Sequence, residues 1–133
     1  MTNAIRGGDP DCIFCKIVRG EIPANKLHED EHVLAFHDVR PQARVHFLLI
    51  PKVHVPSLYE ADMSQREAWA RMLALAGPLA RKAGANDGFR SIINTGRVAH
   101  QEVYHVHMHV LGGPEPLGPM LSRAKFGGAT RSR

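Results

Sequence analysis

The sequence predicts an α+β fold, an antiparallel sheet with one long and one short helix, and three observations predict it. Short apolar stretches bounded by Gly, Pro or acidic turns recur along the chain and read as strands. Only one long stretch, 64–83, keeps a helical period over several turns. The predicted strands follow one another in sequence, which favours antiparallel pairing with helices on one face over a doubly wound sheet. Neither a G-x-G-x-x-G loop nor a Walker loop occurs.

Residues 1–11 are polar and glycine-containing and read as a flexible, loosely attached segment. In CIFCKIVRGEIP, Ile13, Phe14, Ile17 and Val18 fall at helical spacing before Gly20 and Pro23, predicting a short helix over 13–19. KLHED and HVLAFHD flank an acidic turn at Asp30-Glu31 and predict a hairpin. Pro41 biases Arg40 away from helix, so 39–45 is a loop. HFLLIPK is a continuous apolar run ended by Pro51, as expected of a central strand. Ser64 and Glu67 form an S-x-x-E capping box opening the long helix, whose apolar face is Trp69, Met72, Leu73, Ala76, Leu79 and Ala80. Pro78 predicts a kink or local break, and Gly84 or Asn86 the end. GFRSIIN and EVYHVHMHVLGG read as strands joined by the loop TGRVAHQ.

A chain of 133 residues is the size of one domain. Its 44% apolar and 23% charged residues are those of a soluble globular protein. No apolar run is long enough to span a membrane, and the N-terminus lacks the apolar core of a signal peptide, so the cytoplasm is expected. The net charge of +4 suits an anionic ligand such as a phosphate ester. Basic residues are scattered, apart from Arg123, Lys125, Arg131 and Arg133 in a tail, 121–133, expected to be flexible. With no row of exposed aromatics, no nucleic-acid partner is expected. Cys12 and Cys15 form a C-x-x-C pair, open to a zinc or a redox reading.

His105, His107 and His109 alternate with Val106, Met108 and Val110. On a strand, alternate residues share a face, so the three imidazoles form a row while Tyr104, Val106, Met108 and Val110 face the core. Three readings remain open. The row is chance on a solvated strand, or H-x-H is part of a zinc centre. Otherwise one imidazole is a nucleophile at phosphorus, flanked by two that orient it.

HVHMHVL resembles the H-φ-H-φ-H-φ-φ motif of the histidine triad (HIT) family. FCKIVRGEIPA, AFHDVRPQARVHFLLIPKVH, QEVYHVHMHVLGG and PLGPM are similar to segments of its Hint branch, the bacterial members in particular. The resemblance spans 12–120, which makes that stretch the HIT domain. It implies the HIT-like fold, a homodimer, and hydrolysis of purine nucleoside phosphoramidates through a nucleotidyl-histidine. It implies no catalytic cofactor and no membrane partner.

By the same resemblance His107 is the nucleophile, His109 holds a phosphate oxygen, His105 supports His107, and His46 is a fourth active-site histidine. Phe14, Phe36, His37 and Val39 match the wall that holds the base, with plain core packing as the other reading of the two phenylalanines. Asp38 matches the carboxylate on the ribose hydroxyls, with loop capping as its other reading. Asn94, Gln101 and Val103 match the phosphate contacts. Glu102 stands where animal members carry serine; a carboxylate there would suit cationic leaving groups. Ala99-His100 replace glycines usual in the branch, which restricts the backbone beside the phosphate. In some relatives two such cysteines bind a structural zinc with two histidines, here Cys12, Cys15, His46 and His105. A non-catalytic nucleotide- or partner-binding module and a zinc hydrolase using H-x-H remain the rival functions.

Overall fold

The computed structural model describes residues 5–121. Its elements, in chain order, are α1 (Ile13–Val18), β1 (Lys26–Glu29), β2 (Val33–His37), β3 (Val45–Pro51), α2 (Arg66–Ala83), β4 (Phe89–Ile92) and β5 (Met108–Gly112). The strands form one antiparallel sheet in the order β1-β2-β3-β5-β4, with one long and one short helix, as the sequence predicts.

Strand alternation divides the core. Val45, Phe47 and Leu49 of β3 pack with Val33, Ala35, Val106, Met108 and Val110 under α2, through Met72, Ala76, Leu79 and Ala80. On the opposite face Leu48 and Ile50 pack with Leu34 and Phe36 under α1, through Phe14 and Ile17. His46 has the parity of Leu48, so it lies on the α1 face.

Three details depart from expectation. The long helix is capped by Asp62 rather than Ser64. The Asp62 carboxylate accepts Ser64 N at 2.8 Å, and Gln65 Oε1 accepts Asp62 N at 2.9 Å. The Ser64 hydroxyl donates to the same carboxylate, so it is not free to cap. A 3₁₀ turn, Met63–Gln65, then leads into α2. The helix runs unbroken through Pro78 to Gly84, whose φ of 113° ends it. Ala74 and Pro78 lie on the exposed side, where water can meet the carbonyl that proline leaves unbonded.

The third departure shapes the site. Residues 102–113 were expected to form one strand, yet only Met108–Gly112 pair regularly. The register sets Leu49 against Met108, so Val106 falls opposite Pro51, which has no N–H to donate. Val106 N bonds instead to Val55 O at 2.8 Å. Tyr104, expected in the core, is 48% exposed in the bend that results.

Of the segment expected to be loosely attached, Arg6 bridges to Val53 and Gly7 N donates to Lys52 O at 2.8 Å. Beyond Leu121 the expected basic tail lies outside the described residues.

Candidate active site

His46, His105 and His107 are buried, and His109 is half-buried at the start of β5. Two main-chain groups set their proton pattern. His107 Nδ1 lies 2.8 Å from His105 O, and a carbonyl only accepts, so Nδ1 carries the proton. In the neutral ring, Nε2 of His107 is then a free lone pair. Gln42 N–H donates to His46 Nδ1 at 2.9 Å, which leaves the His46 proton on Nε2. That Nε2 lies 2.9 Å from His109 Nδ1, which therefore accepts, and His109 must carry its proton on Nε2. Backbone groups thus leave His107 with a bare Nε2 and His109 with an Nε2–H, with ring centroids 5.0 Å apart. His105 supports His107 through its carbonyl rather than its imidazole.

Burial keeps these rings neutral. Desolvation lowers the pKa of His107, against the opposing pull of the His105 carbonyl. It lowers His109 to about 4, assisted by the neighbouring His107 and His46. His46 is lowered by burial too, partly offset by Asp38.

The expected nucleotide-binding residues fall as follows. Phe14 and Phe36 meet edge to face at 5.6 Å in the α1-side core, and Phe14 also stands 5.2 Å from His107. His37 is half-buried and Val39 is 91% exposed beside it. Asp38 uses Oδ1 to accept Arg40 N at 2.8 Å, a loop-capping bond, while Oδ2 lies 3.4 Å from His46 Nε2. Asn94 and Val103 are half-buried and Glu102 is exposed. Gln101 has no donor left for a phosphate: its side chain donates to Pro56 O and Val103 O, and its N–H to Gly96 O. Its Oε1 accepts Gly96 N at 2.9 Å, so Gln101 braces the 96–101 loop instead. His100 takes φ 59°, the left-handed region a glycine would occupy freely.

A second cluster corrects the expected metal set. His46 is bonded to His109 instead; His54 joins Cys12, Cys15 and His105, with one donor atom from each within 4.8 Å of the others. His105 Nδ1 lies 3.4 Å from Cys12 Sγ, 3.6 Å from Cys15 Sγ and 3.2 Å from His54 Nδ1. His105 Nε2 donates to Pro51 O at 2.7 Å, so its Nδ1 lone pair points into the cluster. Two sulfurs and two imidazole nitrogens converging in this way fit a tetrahedral zinc. Asp38, His46 and His109 also converge, but the His46 nitrogen there bears a proton and offers no lone pair. The sequence reading missed His54. It shares strand parity with His46, and only the register tells them apart.

An antiparallel α+β sheet that sets an imidazole with a bare Nε2 beside one with a proton on Nε2 is the arrangement of the histidine triad class of proteins. The chain belongs to the histidine triad family: a HIT domain profile matches residues 19–115. It is 46% identical over 113 residues to the purine nucleoside phosphoramidase of Escherichia coli K12, covering 84% of this chain and 94% of that one. A HIT family hydrolase from Legionella pneumophila superposes with TM-score 0.76 at 43% identity, over 82% and 98% of the two chains. One from Clostridium thermocellum gives TM-score 0.80 at 37% identity, over 86% and 99%.

Proposed function

We propose that this protein hydrolyses purine nucleoside phosphoramidates, and that the paired proton states of His107 and His109 carry the chemistry. His107 Nε2 attacks the α-phosphorus, the P–N bond breaks with its electron pair going to nitrogen, and the nitrogen takes a proton from solvent to leave as the amine. Water then cleaves the P–N bond to His107 and releases the nucleoside monophosphate. His109 Nε2–H stabilises the charge developing on a phosphoryl oxygen. Asp38 Oδ2 takes the ribose hydroxyls, Phe14, Phe36, His37 and Val39 hold the base, and Asn94 and the main chain near Val103 hold the phosphate. Glu102, exposed beside the reacting group, favours cationic amines. The family match and the likeness to a named phosphoramidase support this reading. The rival zinc hydrolase is disfavoured because His109 Nδ1 is already filled by the His46 proton. A merely binding module would not need the nucleophilic tautomer. The test is release of AMP from an adenosine phosphoramidate, followed by phosphorus NMR. Binding of AMP without turnover would leave the module reading.

Cys12, Cys15, His54 and His105 hold a structural zinc in this proposal. Bound there, a zinc would cross-link α1 to the segments that leave β3 and enter β5, at one end of the two central strands, with no part in the reaction. The protein works as a homodimer: β4 is an edge strand, and Leu73 of α2 and Phe89 of β4 are exposed apolar side chains that a second copy would cover. Among the described residues no helix is long and apolar enough to cross a membrane. Two free cysteines suit the reducing cytoplasm.

A further inference from the structure

The segment before α1 is tied down at several points. Arg6 pairs with Val53, Gly7 N with Lys52 O, and the Arg19 guanidinium donates to the carbonyls of Gly7 and Asp9. Gly7 sits at φ 61°, and a Cβ there would lie 2.9 Å from both Cys15 O and Arg19 Cγ, so the strap follows a path that only glycine fits. What the strap delivers is Asp9. Its Oδ1 accepts Asp11 N at 2.8 Å and Cys12 N at 3.2 Å, closing the turn that begins the C-x-x-C. Its Oδ2 lies 3.5 Å from His54 Nε2.

We infer that Asp9 is the outer-sphere carboxylate of the Cys12-Cys15-His54-His105 metal site, fixing His54 as the tautomer that presents a free Nδ1. This rests on the proposal that the four residues hold zinc. A carboxylate accepts, so it draws the His54 proton to Nε2 and leaves the Nδ1 lone pair facing Cys15 Sγ at 3.4 Å and His105 Nδ1 at 3.2 Å. The His105 Nδ1 lone pair is already fixed by Pro51 O. In the metal-free chain the two lone pairs accept the thiol protons of Cys15 and Cys12, each at 3.4 Å, and a cation takes the place of those protons. The other His54 tautomer would put its proton on Nδ1, donate it to His105 Nδ1 at 3.2 Å and so block the metal. The strap thus builds the site's affinity for a cation from outside the ligand set.

The test is Zn²⁺ affinity, measured in competition with a chromogenic zinc chelator. Asp9→Asn keeps an oxygen to cap the turn but lacks the carboxylate that holds the His54 proton. It should bind one zinc per chain about 10- to 100-fold more weakly than the unsubstituted protein. Asp11→Asn removes the same charge from the same turn without touching His54, and should stay within about twofold. In the metal-free protein, long-range ¹H–¹⁵N NMR should report His54 as the Nε2–H tautomer and show it losing that preference in Asp9→Asn. Equal affinity in Asp9→Asn, or an equal loss in Asp11→Asn, overturns the inference while leaving the zinc site standing. Failure of the unsubstituted protein to bind zinc, or binding that survives Cys12→Ser with Cys15→Ser, removes the site itself.

Discussion

His107 and His109 differ in which nitrogen is bare, and their substitutions should differ accordingly. His107→Ala should lose on the order of 10⁴-fold or more in kcat and form no covalent adduct, while still binding AMP. Intact mass spectrometry of enzyme quenched during turnover checks this; an AMP adduct that persists in His107→Ala contradicts the role. His109→Ala removes one hydrogen-bond donor and should cost roughly 10²–10³-fold in kcat. Acidity enters through burial. The folded pKa of His109, about 4, lies below its ordinary 6.5, so the unfolded chain takes up the proton first. Its stabilising contribution is therefore complete above pH 6.5 and is lost as pH falls toward 4. The melting temperature should fall across that window, less steeply in His109→Gln. At this scale the triad was legible because identical residues two apart need only local geometry to share a face. His54 was not. The register puts residue 52 across from His105, two positions from His54 and six from His46, and register is a long-range property that one sequence does not display.

Elements succeed or stop according to where their backbone partners run out. The strand carrying the triad was read too long because its apolar alternation continues to Val103, whereas its hydrogen-bond ladder ends where Pro51 has no N–H. The cap ahead of α2 was read two residues late, since S-x-x-E and D-x-x-Q both fit a capping box and only the fold chooses between them. The long helix itself and the β1–β2 hairpin were legible from period and turn residues alone. Along α2, burial decides what a substitution costs. Met72, 1% exposed, should cost about 2–5 kcal/mol on replacement by alanine. Asp62→Ala, which removes the cap, should cost about 1 kcal/mol. Urea unfolding of the two variants side by side gives the comparison.

At the scale of the whole molecule, α2 and β4 present apolar groups that the single chain leaves uncovered. Leu73, 72% exposed, faces away from the core that Met72 and Ala76 fill. Leu73→Glu should therefore leave the protomer folded and shift the mass from dimer to monomer, read by light scattering at micromolar concentration. A mass that stays dimeric would place the contact elsewhere, and a monomeric mass for the unsubstituted protein would remove the proposed dimer. The sequence had assigned Leu73 to the core face of α2, because hydrophobic period marks what is covered without saying by which chain.

The bond from Gln42 N–H to His46 has a consequence for how this site can drift. The donor is part of the peptide skeleton, so no exchange of the Gln42 side chain erases it except one that closes a ring onto the nitrogen. Substitutions there are silent to the chemistry, with proline the single exception. Gln42→Pro would preserve every imidazole and every carboxylate around the nucleophile while unfixing which nitrogen of His46, and through it of His109, holds a hydrogen. Such a variant would be a site complete in its letters and undirected in its protons, and a library of all replacements at this position should show one inactive member among many active ones.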